Sequence, residues 1–151
     1  MNTAPAAAAL TAGLVAVTAA VPAEAGPAPV NNLKPDAIAV QDYVLAAYPE
    51  ITTIGGWRPS DPYPDHPSGR ALDVMIPGWD TPDGRALGDR IADDLLARAD
   101  QLGVDSLIWR QEWRKPDGTR KHMAGRGSVI QNHFNHVHVL TKGSAGTGVE
   151  A

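Results

Sequence analysis

Two short stretches concentrate the side chains that can bind a cation and move a proton. Asp65-His66-Pro67-Ser68-Gly69-Arg70-Ala71-Leu72-Asp73 carries an imidazole and a carboxylate with six residues between them. Far along the chain, His133-Phe134-Asn135-His136-Val137-His138 holds three more imidazoles. Four of the five histidines lie in these two stretches, and the fifth, His122, reads as an ordinary surface or hydrogen-bonded core residue. Nitrogen and carboxylate donors together form the N,N,O set that a catalytic zinc ion takes, with one position left for water. The chemistry expected of such a pair of segments is metal-dependent hydrolysis.

The elements around these stretches must bring them together. Residues two apart on a strand point the same way. A strand over Val137–Leu140 therefore projects His136 and His138 from one face while Val137 and Val139 enter a core. A strand over Ala71–Ile76 places Leu72, Val74 and Ile76 on one face and Ala71, Asp73 and Met75 on the other. The imidazole pair and the carboxylate thus share the polar side of one sheet, and His66 can arch over from the proline-rich loop Trp57–Gly69. Pro35 suits the first turn of a helix that ends by Pro49. Ile51–Ile54 is strand-like and is stopped by Gly55-Gly56. Arg85–Leu102 has an apolar stripe of Leu87, Ile91, Leu95 and Leu102, with Gly103 as its stop. Val104–Trp109 is the next strand, Trp113 extends or pairs with it, and Lys115–Ser128 is expected as loop. The succession indicates a small α+β domain with an antiparallel sheet flanked by helices.

Composition narrows the classes further. The chain has 151 residues, 43% of them hydrophobic, which suits one domain with a packed core. Net charge is −4. The basic residues Arg110, Arg114, Lys115, Arg120 and Lys121 are interrupted by Pro116, Asp117 and Gly118, so no nucleic-acid partner is expected. There is no cysteine, which excludes disulfides and thiolate ligands. Residues 1–25 read as a secretory signal peptide, with an Ala6–Ala20 apolar run and an Ala23-Glu24-Ala25 cleavage pattern. The run is too short and alanine-rich for a membrane span. Residues 26–34 read as a linker, 35–141 as the domain and 142–151 as a glycine-rich flexible tail. Export would leave the protein secreted or associated with the cell envelope.

The pattern His66-x-x-Gly69-x-Ala71-x-Asp73 followed by His136-x-His138 resembles the zinc peptidases grouped as lysostaphin, D-Ala-D-Ala peptidase and hedgehog-like proteins. Their carboxypeptidase branch carries S-x-H-x-x-G-x-A-x-D, and Gly56-Trp57-Arg58 is similar to that branch's G-[YF]-R element. Within the superfamily, the chain is similar to secreted actinobacterial domains with DHPSGRALDVMIP and NH-x-DHVHV stretches. The resemblance covers roughly Ile51–Leu140. It implies His66, Asp73 and His138 as Zn2+ ligands and a hedgehog-like or D-Ala-D-Ala-peptidase-like site. It also implies hydrolysis of peptide bonds in bacterial peptidoglycan, in a stem peptide or a cross-link, through a metal-activated water.

One position departs from that branch. Its general-base Glu stands three residues before the last ligand, where this chain has Asn135, and an amide cannot take the proton. The spacing His133-x-x-His136-x-His138 instead looks like the penicillin-insensitive murein endopeptidases. His136, assisted by His133, is therefore expected as base and oxyanion partner. A non-catalytic zinc-binding module of the same fold is the alternative. Arg58 is a candidate for binding a substrate carboxylate or polarising the scissile carbonyl, with a bracing salt bridge to Asp61 or Asp65 as the competing role. Asp65 is expected to orient the His66 ring. Trp57, Trp79, Trp109 and Trp113 suit either a substrate cleft or the core, and Trp57 is taken as a substrate-binding candidate.

Overall fold

The computed structural model describes residues 26–143. The proposed leader, 1–25, and most of the proposed tail, 144–151, lie outside the described residues. Helix α1 spans Pro35–Ala47, with proline at its first turn as expected, and buries Ala37, Val40 and Val44. Strand β1 is only Ile54–Gly55. Ile51 is buried without joining the sheet, so the expected four-residue strand is shorter. Strand β2 runs Ala71–Met75.

Helix α2, Pro82–Ala97, starts three residues before the expected Arg85. Thr81 caps it by accepting the Gly84 N–H at 3.2 Å. The chain breaks at Arg98 and resumes as the short α3, Ala99–Leu102, which Gly103 ends in the left-handed conformation (φ +72). The expected single helix is therefore two. Leu87, Ile91 and Leu95, four residues apart, are its buried stripe.

Strands β3 (Val104–Trp109) and β4 (Glu112–Arg114) form a hairpin. A further strand, β5 (Arg120–His122), pairs with β4. This corrects the reading of Lys115–Ser128 as loop. Pro116, Asp117 and Gly118 form the turn of a second hairpin, and Arg120 and Lys121 decorate its exposed outer strand. Strand β6, His136–Thr141, completes an antiparallel sheet of order β1-β2-β6-β3-β4-β5. Fold class is thus α+β, with a six-stranded antiparallel sheet and a few helices.

One face of the sheet, with Leu72, Val74, Leu107, Trp109, Val137 and Val139, packs under α1 and α2 as a single core. The other face carries a cross-strand row, Gly55–Asp73–His138–Ile108–Trp113–Lys121, set by register. Residues 26–34 are not a free linker. Ala28 and Leu33 are buried, Gln41 exchanges two hydrogen bonds of 2.9 Å with the Ala28 backbone, and the Lys34 N–H bonds to the Gly69 carbonyl at 2.8 Å. At the other end, Thr141, Lys142 and Gly143 are also tied down. Asp36 accepts from Thr141 Oγ1 at 2.9 Å and from the Gly143 N–H at 2.7 Å, and the Lys142 N–H reaches the Gly103 carbonyl.

Among the described residues, no helix is long and apolar enough to cross a membrane.

Candidate metal centre and cleft

Asp73 and His138 face each other directly across β2 and β6. The carboxylate Oδ1 lies 2.9 Å from His138 Nδ1, while Oδ2 lies 3.2 Å from His66 Nε2. One donor atom from each of His66, Asp73 and His138 falls within 4.8 Å of the others. Donors about 2.0–2.1 Å from a tetrahedral zinc stand about 3.3 Å apart, close to the two Asp73 contacts.

His66 is delivered by a short coil. The Ser68, Gly69 and Arg70 N–H groups bond back to the Pro64, His66 and Asp65 carbonyls, which folds the loop over the sheet. Gly69 has φ +74, and a Cβ there would meet the Asn32 carbonyl oxygen at 1.9 Å, so only glycine fits. His66 Nδ1–H donates to the Gly56 carbonyl at 2.8 Å. That bond leaves the lone pair on Nε2, which is buried and has no hydrogen-bond partner. Its neighbour Asp73 Oδ2 lies 3.2 Å away, so the pair offers a nitrogen and an oxygen to a shared cation. The donor set and this orphaned nitrogen both fit a divalent metal ion, without selecting zinc over others.

His138 is held from both sides. Its Nε2 meets Asp65 Oδ2 at 3.0 Å, so Asp65 orients His138 and not His66 as the sequence suggested. A carboxylate behind a ligand imidazole fixes its tautomer and raises its basicity. Burial lowers the His138 pKa, but hydrogen bonds to Asp65 and Asp73 and their charges prevail and raise it to about 9. Burial raises the Asp73 pKa, yet the hydrogen bond to His138 and the imidazoles around it hold its carboxyl well below the ordinary range. A proton on His138 Nδ1 occupies the place a metal ion would take.

His136 shares the face. Its Nδ1–H donates to Asn135 Oδ1 at 2.8 Å, leaving Nε2 as an acceptor 3.5 Å from Asp73 Oδ1. Burial is the main cause that lowers its pKa, opposed by Asp73 and aided by His138 and His66, so the ring is held neutral. His133, in the left-handed conformation (φ +54), sets its ring tilted at 4.8 Å from that of His136 and edge-on at 5.6 Å from that of His138. Burial and the two neighbouring imidazoles push His133 down to about 4.

Arg58 makes the expected bracing salt bridge to Asp61 and also reaches the candidate centre. Nε bonds Asp61 at 2.7 Å, and Nη1 reaches Asp73 Oδ2 at 3.3 Å. Trp57 does not line the cleft. Its indole N–H donates to the Pro67 carbonyl at 3.1 Å and braces the His66 loop. Trp109 is in the core with its N–H on Asp89, and Trp79 packs against the core edge. The four tryptophans therefore do not build a binding wall.

The donors sit in a cleft of about 530 Å³. Its wall comes from residues with no sequence signal, chiefly Tyr63, Ile108, Met123, Arg126 and Ile130. Arg126 Nη1 lies 3.4 Å from Tyr63 Oη, linking the two loops at the rim.

Residues 29–134 match the family model described as VldE, C-terminal domain. The chain belongs to that family. The match takes in His66, Asp73 and His133 and stops just ahead of β6. No curated protein matches the chain, and no solved structure does.

Proposed function

We propose that this VldE-family domain is an exported zinc peptidase that hydrolyses peptide bonds in bacterial peptidoglycan. The observation that carries this reading is the buried, partnerless Nε2 of His66 facing Asp73 Oδ2 at 3.2 Å, beside His138. His66, Asp73 and His138 would hold the ion. The likeness to the lysostaphin and D-Ala-D-Ala peptidase group supports the substrate class, and the Ala-rich leader supports export to the cell envelope.

A bound divalent ion would supply Lewis-acid polarisation of a water and of the scissile carbonyl. The rest falls to the chain. His136 accepts the proton at Nε2, because Asn135 holds its Nδ1–H and burial keeps the ring neutral. Asn135 thus orients a base where the related branch has a base of its own. Arg58, with Nη1 at the cleft floor, binds the substrate's carbonyl or carboxylate oxygen. His133, neutral beside His136, donates to the oxygen that becomes negative.

The test is incubation of the zinc-loaded protein with purified peptidoglycan, with and without chelator. Chelator-sensitive release of amino groups or free amino acids is expected. Equal traces in both arms reject the reading.

A second reading, a non-catalytic metal-holding module, is favoured by one distance. His136 Nε2, at 3.5 Å from Asp73 Oδ1, is near enough to serve as a fourth ligand and close the coordination. X-ray absorption of the zinc-loaded protein separates the two by counting imidazoles, two against three.

A further inference from the structure

The two-residue turn of the β3–β4 hairpin, Arg110–Gln111, is unusual. Trp109 and Glu112 form the closing pair, and both turn residues have positive φ, +49 and +62. Such a turn favours Asn-Gly, because a Cβ makes the left-handed conformation costly. Here two long polar side chains accept that cost, and both grip the segment 132–134.

The Arg110 N–H donates to the His133 carbonyl at 2.8 Å, and the Gln111 N–H to the Asn132 carbonyl at 3.0 Å. Gln111 Nε2 donates to Asn132 Oδ1 at 3.3 Å. The Arg110 guanidinium lies over the Phe134 ring, 5.2 Å from its centroid. Four contacts thus hold three consecutive residues, and the middle one, His133, is itself left-handed. Asn132 Oδ1 also takes the Arg126 N–H at 2.7 Å, which fixes the rim of the cleft to the same point.

We infer that Arg110 and Gln111 are positioning residues, a strained clamp that sets the His133 ring against His136 and the cleft. This rests on reading the cleft as a hydrolytic site. Neither residue touches the metal ligands, and neither belongs to the motifs that carry the family likeness.

The decisive variant is Arg110→Asn combined with Gln111→Gly, which installs the favoured turn while removing both side-chain contacts. Tm is expected to hold or rise. In the same protein, kcat on peptidoglycan peptides should fall roughly ten- to hundredfold, as for a misplaced catalytic group. KM should change by less than about twofold, and zinc affinity should stay unchanged. A purely structural turn would move Tm and kcat together, and that outcome overturns the inference.

A second readout does not need turnover. In the zinc-loaded protein with 13C-labelled histidine, the variant should shift or broaden the His133 ring signals and leave those of His66 and His138 in place. Unchanged His133 signals overturn the clamp. If the wild-type chain hydrolyses nothing, the hydrolytic reading fails, yet these spectra still decide whether the turn places His133.

Discussion

His66 Nε2 and Asp73 Oδ2 meet at 3.2 Å in a buried contact outside hydrogen-bond geometry. A cation seated between the two atoms satisfies both at once. Adding zinc at a hundredfold over its dissociation constant should therefore stabilise the fold by about 2.7 kcal/mol, a rise in Tm on the order of 10 °C. His66→Ala should abolish the metal-dependent rise. Differential scanning fluorimetry with and without zinc measures both.

Asp65 is the carboxylate behind His138, at 3.0 Å from Nε2. Removing such a partner costs about 10- to 100-fold in metal affinity. Asp65→Ala should show that loss in a chelator competition, with the fold intact by circular dichroism. Unaltered affinity would mean that His138 needs no carboxylate behind it.

His136→Ala separates the two readings of the centre. Loss of a base lowers kcat by about 10²- to 10⁴-fold and leaves zinc binding as it was. Loss of a ligand weakens zinc binding. Asn135→Ala should reproduce part of the kcat effect, because the Nδ1–H of His136 then has no fixed acceptor.

The chelator-treated protein should show a stability optimum near neutrality. His138 is raised from 6.5 to about 9 by its two carboxylates against the burial that opposes them. A raised pKa stabilises fully below about 6.5, and that contribution is lost as pH climbs through about 9. It amounts to at most about 3 kcal/mol. His133 has the opposite sign. Burial, with His136 and His138, depresses it to about 4, so stability falls as pH drops from about 6.5 toward 4. Zinc affinity, in competition with the His138 proton, should rise with pH over the alkaline window. Melts across pH with and without chelator check each limb.

Much of the positioning was legible because the strand period is two. Leu72 and Val74 against Asp73, and Val137 and Val139 against His136 and His138, alternate cleanly, and the sheet faces follow. The edge strand Arg120–His122 was not legible because all three residues are polar and exposed, with no apolar face to mark them. Its Pro116-Asp117-Gly118 turn was the available signal. The segment 26–34 looked unstructured for its prolines, whereas Ala28 and Leu33 are buried. Which imidazole Asp65 would serve depends on a contact between residues 73 positions apart, and adjacency to His66 pointed the wrong way. The cleft wall of Tyr63, Met123 and Ile130 comes from loops without periodicity, so its convergence leaves no mark in the sequence.

Strand β6 is the last strand among the described residues yet central in the sheet, between β2 and β3. Without it the pairing leaves two separate ribbons, β1–β2 and β3–β4–β5, with no strand ladder between them. The same six residues that zip these ribbons together also bring His136 and His138 to Asp73. Displacing this one strand would therefore part both imidazoles from the carboxylate and the two ribbons from each other at once.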